Sequence, residues 1–254
     1  MKNFGDWFIK TKPTIAYITV GYPTFEKSLE IAKFLVKNNF VQVIEAGIPF
    51  SDPIADGEVI QISTQKALEN GINLRDVARF VHNLKSEYDV PVFSMGYYNP
   101  IFCNISNNLE LLSESGCEGV IIPDISIEEV YRIRSLLKKN KLRIVGFVAP
   151  NTSQERIDRI VKVTDGFVYL VSSYGTTGVR ESLDFQMLKD IVDRIKKVKN
   201  IPVAVGFGIR DVETIAKVKE ISDGAIVGSA IIKIIEDNPQ DYLDRIYSFF
   251  KGNL

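Results

Sequence analysis

Eight short runs rich in valine, isoleucine and phenylalanine recur along the chain, at residues 14–20, 41–48, 90–97, 119–123, 143–149, 166–172, 201–206 and 224–228. Between them lie charged stretches such as SIEEVYRIRSLLKKN and SQERIDRIVKV, whose apolar residues recur three and four apart, the spacing of an amphipathic helix. Strand-sized runs alternating with helical segments predict an α/β fold with a parallel sheet and helical crossovers. Eight such units in 254 residues fit a closed (βα)8 TIM barrel, whereas an open doubly wound sheet usually stops at about five to seven strands. No linker divides the chain, so one barrel domain over residues 1–254 is expected. A helix over 3–10 precedes the first strand and is placed to cover the barrel bottom. The long stretch 50–90 holds a loop and two helical segments, around 59–70 and 74–86, and reads as an elaborated second βα unit.

Composition excludes several function classes. The net charge is −1, with no basic stripe for nucleic acid and no charged tail. The longest apolar runs fall short of the roughly 20 residues a membrane span needs. The N-terminal MKNFGDWFIKTKP has no apolar secretion core, so a cytoplasmic protein is expected. Cys103 and Cys117 make neither a disulfide framework nor a zinc pattern and read as reduced, structural thiols. The single histidine, His82, falls in the 74–86 helix and reads as a surface residue. It supplies no multi-histidine metal site, and serine or cysteine nucleophiles lose their usual base. Acids, lysines, tyrosines and backbone amides remain.

Among the acids, Glu45 stands out. The segment VIEAGIPFSDPIADG places it inside an apolar strand and follows it with a Gly/Pro-rich loop carrying Asp52 and Asp56. Strand alternation puts Val41, Val43, Glu45 and Gly47 on one face. If that face points inward, Glu45 projects into the barrel near its catalytic end. A carboxylate buried there is raised toward neutrality and can both give and take a proton. The competing reading is a structural ion pair with a lysine or arginine.

Three further loops carry glycines at successive strand ends: SSYGTTGVRE, GFGIRD and GSAIIKIIED. In barrels, the loops after strands seven and eight with an extra helix start commonly hold a phosphate, so Gly178, Gly208, Gly228 and Ser229 are the expected donors. No lysine is placed as in a Walker loop, so GFG is not a P-loop. Tyr17, Tyr97 and Tyr169 fall within or at the ends of strands one, three and six, and Phe207 at the end of strand seven. They either form an apolar wall around a flat ring or pack as ordinary core. Gly175 and Gly178, around Thr176 and Thr177, suit either a closing lid or a plain surface loop.

Taken together, VIEAGIPFSDPIADG, YYNPIF, IIPD, YLVSSYGTTGVR, GFGI and VGSAII resemble the signature of the tryptophan synthase α subunit family, in the family's order and over residues 14–232. The resemblance implies a retro-aldol lyase of tryptophan biosynthesis that cleaves indole-3-glycerol phosphate to indole and glyceraldehyde 3-phosphate. It also implies an α2β2 complex in which indole passes to a β subunit holding pyridoxal phosphate, with no cofactor or metal in this chain. On matching positions, Glu45 and Asp56 are the catalytic acids. Gly178, Gly208, Gly228 and Ser229 fall on the phosphate site. Tyr17, Tyr97, Tyr169, Phe207 and Thr177 fall on or near the substrate pocket, Thr177 in the mobile sixth loop. Asp52, Asn99 and Pro100 fall on loops that face the β subunit. Departures from the family pattern at Tyr22, at the Tyr97–Tyr98 pair and at Ser173–Tyr174 bear on loop closure and partner contacts. Asp124 either holds the second loop or makes a structural pair. Two other functions remain open: another phosphosugar barrel enzyme of the same pathway, which would generally use a mid-strand lysine or a different acid pair, and a non-catalytic subunit that activates a β partner, which would be expected to lack Glu45 or Asp56.

Overall fold

The computed structural model describes residues 3–172, 183–206 and 208–252. Its elements run α1 (Phe4–Thr11), β1 (Thr14–Thr19), α2 (Phe25–Lys37), β2 (Val43–Gly47), α3 (Glu58–Glu69), α4 (Leu74–Lys85), β3 (Val92–Met95), α5 (Tyr98–Phe102), α6 (Ile105–Glu114) and β4 (Gly119–Ile121). They continue through α7 (Ile127–Lys139), β5 (Arg143–Ile144), β6 (Gly146–Val148), α8 (Gln154–Val163), β7 (Val168–Val171), α9 (Phe185–Val198), β8 (Val203–Gly206), α10 (Val212–Ile221), β9 (Gly224–Val227), α11 (Ser229–Asp237) and α12 (Tyr242–Lys251).

The paired strands are parallel, in the order β5-β4-β3-β2-β1-β9-β8-β7-β6. The two ends of that order are neighbours in sequence, with only Val145 between them. The Val145 N–H donates to Val120 O at 3.2 Å, and the next N–H, from Gly146, donates to Phe167 O on the other side at 3.2 Å. One stretch of chain thus pairs first with β4 and then with β7, and the ring closes as a βα barrel. The eight expected strands are all present, and the fifth is read in two pieces because its hydrogen bonds change partner midway.

Local chemistry explains the helical layer. On α4, Val77, Phe80, Val81 and Leu84 are buried, a stripe at the three-and-four spacing. Its start is closed by a capping box between Asn73 and Asp76. Strands β1 and β2 are buried along their whole length, as expected where one face meets the barrel interior and the other meets helices. The elaborated second unit is α3 followed by α4. His82 lies exposed on α4, Cys103 is exposed and Cys117 is buried, both unpaired thiols.

The N-terminal helix closes the end of the barrel where strands begin. Asn3 caps α1 by accepting from the Asp6 N–H, and Phe4 and Phe8, one turn apart, are its buried face. The Phe4 ring lies 5.6 Å from that of Phe93, and Phe8 stacks on Phe167 at 5.3 Å. That leaves the opposite end, at the strand carboxyl termini, for a site.

Candidate active site

In the register of β1 on β2, Tyr17 lies beside Glu45 and Thr19 beside Gly47. Glu45 is fully buried, and among the described residues neither of its carboxyl oxygens has a hydrogen-bond partner. The structural ion-pair reading fails on this observation. Burial alone pushes its carboxyl up to about 8, so at neutral pH it carries a proton that it can give.

Asp56 comes from the loop after β2. The loop folds back through hydrogen bonds from Ile54 N to Asp52 O and from Asp56 N to Pro53 O, and Gln61 of α3 donates to the Asp56 carbonyl at 2.8 Å. These bonds turn the Asp56 side chain inward, where it is 4% exposed, while Asp52 stays at the surface. Burial raises the Asp56 carboxyl to about 6, and a hydrogen bond from the Tyr97 hydroxyl at 2.8 Å opposes the rise. The two carboxyls therefore differ by environment: Asp56 is mostly ionised at neutral pH and Glu45 mostly protonated.

Both acids line one cleft with about 430 Å3 of empty space. Tyr17 and Tyr169 line it too, each phenol held well above its ordinary pKa, chiefly by burial and also by the nearby acids. A side chain at Gly47 would run into the Tyr17 hydroxyl, and one at Gly206 into that of Tyr169, so each tyrosine reaches the mouth across a glycine on the next strand. Phe147 stacks on Tyr169 with ring centres 5.1 Å apart. Tyr97 reaches the site through Asp56, its own ring tilted against Phe50 at 5.4 Å.

The remaining wall comes from β8 and β9, across β1 from the acids. Gly208, Gly228 and Ser229 line it, Gly208 with φ +73°. Gly228 is the N-cap of α11 and offers no side-chain cap. The first amides of a helix lack intrahelical partners, and the helix dipole favours negative charge there, so this corner suits an anion such as a phosphate. Gly178, Thr177 and Phe207 lie outside the described residues, as do Ser173, Tyr174, Gly175 and Thr176.

Among the described residues, four apolar side chains that the sequence did not single out also line the cleft: Ile60, Met95, Ile209 and Ile226. Two of them had a signal in strand alternation, since Met95 falls two residues before Tyr97 and Ile226 two before Gly228. A buried hydroxyl pair, Thr19 with Ser63 at 2.8 Å, also joins β1 to α3. Asp124 accepts the Tyr98 N–H at 2.8 Å, which ties it to the loop after β3 and not to the loop after β2. Among the described residues, no group of three histidine, cysteine or acidic side chains is placed to hold a metal ion.

A parallel barrel with a cleft at the carboxyl ends of its strands, walled by two buried acids and an uncapped helix start, defines the class as a βα-barrel enzyme. The model of one family, described as tryptophan synthase alpha chain, matches residues 9–251. A tryptophan synthase alpha chain of Petrotoga mobilis is 42% identical over 242 residues, covering 95% of this chain and 93% of that one. The fold is similar to that of a tryptophan synthase structure from Mycobacterium tuberculosis, with TM-score 0.87, 30% identity, and 98% and 95% of the two chains covered. It is also similar to the tryptophan synthase A-subunit of Pyrococcus furiosus, with TM-score 0.86, 34% identity, and 95% and 97% covered. The chain belongs to the tryptophan synthase alpha chain family.

Proposed function

We propose that this chain cleaves indole-3-glycerol phosphate to indole and glyceraldehyde 3-phosphate, the α reaction of tryptophan biosynthesis, with Glu45 as acid and base and Asp56 as the partner of the indole ring. The observation that carries the reading is Glu45: a fully buried carboxyl with no partner among the described residues, facing the same cleft as a second, ionised carboxyl. Protonated Glu45 gives its proton to C3 of the indole, and the positive charge that develops on the ring nitrogen is stabilised by Asp56, which accepts the N–H. The resulting Glu45 carboxylate takes the proton of the hydroxyl on the adjacent glycerol carbon. That carbon becomes the aldehyde, the carbon–carbon bond breaks, and its electrons restore the aromatic ring. Glu45 ends protonated, ready for the next turnover.

The substrate phosphate sits against Gly208, Gly228 and Ser229, and the family pattern assigns Gly178 to the same site. Tyr17, Tyr169 and the apolar side chains hold the flat ring, and the family pattern assigns Phe207 and Thr177 to the same pocket. The partner is the β subunit, in an α2β2 assembly, and pyridoxal phosphate belongs to that subunit. Asp52, Asn99 and Ile54, the last 73% exposed, offer it a surface beside the cleft. No described helix is long and apolar enough to cross a membrane, and a cytoplasmic location suits a biosynthetic reaction of this kind.

The test is indole formation from indole-3-glycerol phosphate, with and without a cognate β subunit. Glu45→Gln is expected to lower turnover by about 10²–10⁴-fold while binding of a substrate analogue persists, and Asp56→Asn to lower it strongly as well. Wild-type turnover by Glu45→Gln would remove the mechanism.

A further inference from the structure

Among the described residues one phenol holds the Asp56 side chain, and the hydrogen bonds of that phenol dictate how the carboxylate lies. The Ala55 N–H donates to Tyr97 Oη at 2.9 Å, and Tyr97 Oη donates to Asp56 Oδ2 at 2.8 Å. Because the oxygen is already accepting from Ala55, its single proton is directed at Asp56. Oδ2 is thereby engaged, and Oδ1 is left for a donor in the cleft. Tyr97 is itself fixed: it is 4% exposed, its ring lies against Phe50, and the next residue, Tyr98, is anchored through its amide by Asp124.

We infer that Tyr97 is a positioning residue, latching the loop after β2 to the end of β3 so that Asp56 presents Oδ1 to the indole N–H. The inference rests on the function proposed above. The same bond favours the ionised carboxylate, so its loss shifts the Asp56 equilibrium toward the acid form. Among the described residues, Tyr17, Glu45 and Tyr169 are the other titratable groups that face Asp56, from β1, β2 and β7, and α3 contributes the neutral Gln61 to the Asp56 backbone.

The experiment is the pH profile of kcat/KM for indole release by Tyr97→Phe, with carbon-13 NMR titration of the Asp56 carboxyl in the same variant. In the wild type the acid limb is expected near pH 6, where Asp56 takes up a proton. Tyr97→Phe is expected to move that limb and the NMR titration upward by about one pH unit. Activity then falls about tenfold at pH 5.5 and recovers as the pH rises. Replacing Tyr97 by a fluorotyrosine, the same shape with a stronger donor, is expected to move both downward. A uniform loss at every pH, or an unmoved NMR titration in both variants, would overturn the inference. Failure of the wild type to release indole would instead sink the proposed function, and the NMR titration would still judge the hold of Tyr97 on Asp56.

Discussion

Glu45 occupies a strand position that alternation turns inward, and among the described residues no side chain or backbone group pairs with its carboxyl. An unfolded chain releases that proton near 4.5, and the folded chain near 8. Between the two values the folded state holds a proton that the unfolded state lacks, so stability falls as pH rises through this window and the loss is complete above about 8. Glu45→Gln keeps the shape and removes the titration. Urea unfolding is expected to give equal stabilities near pH 4.5 and a variant more stable than wild type by on the order of 4–5 kcal/mol at pH 9. Parallel pH dependences would show that Glu45 gains a partner on ionisation. This side chain was legible in the sequence because a lone acid inside an apolar run breaks the pattern. The Gly/Pro-rich loop offered Asp52 and Asp56 alike, and the family resemblance is what chose Asp56. The link from Tyr97 to Asp56 was not legible, since it joins residues 41 apart through a loop whose path periodicity does not describe. The Thr19–Ser63 pair was hidden for the same reason.

Among the elements, α1 shows how much a short helix contributes by closing the barrel end. Its eight residues would be marginal in isolation, and the burial of Phe4 and Phe8 against Phe93 and Phe167 holds it in place. Phe8→Ala is expected to destabilise the fold by about 3–5 kcal/mol while the folded protein keeps its turnover, because the ring lies at the end away from the cleft. Denaturant unfolding together with activity per folded molecule checks both halves, and a loss under about 1 kcal/mol would show that the end refills. The helix was expected over 3–10 and runs Phe4–Thr11, a one-residue difference at each end. All eight strands were legible from their apolar runs. The change of partner at Val145 was not, because alternation reports which face a side chain takes and says nothing of which neighbour the backbone pairs with.

For the molecule as a whole, the mouth of the barrel serves two surfaces at once. Its inside holds the acids, and its rim exposes Ile54, two residues before Asp56, and Asn99, two residues after the Tyr97 that bonds Asp56. An apolar side chain 73% exposed on such a loop suits a partner that covers it. Ile54→Asp is expected to weaken association with the β subunit at least tenfold, while indole release by the free chain changes by no more than about twofold. Titration of the two subunits by calorimetry checks this, and unchanged affinity would take Ile54 out of the proposed interface.

The stretch 143–148 has a further meaning when the barrel is viewed as a surface without borders. A ring of strands offers no unpaired row of amides to a neighbouring molecule, which is how closed sheets escape edge-to-edge aggregation. Here the ring depends on a few residues that give two pairs to β4 and three to β7. Loosening them would bare both neighbours together, so the packing of α7 on β5 and of α8 on β6 keeps two strand edges covered at once.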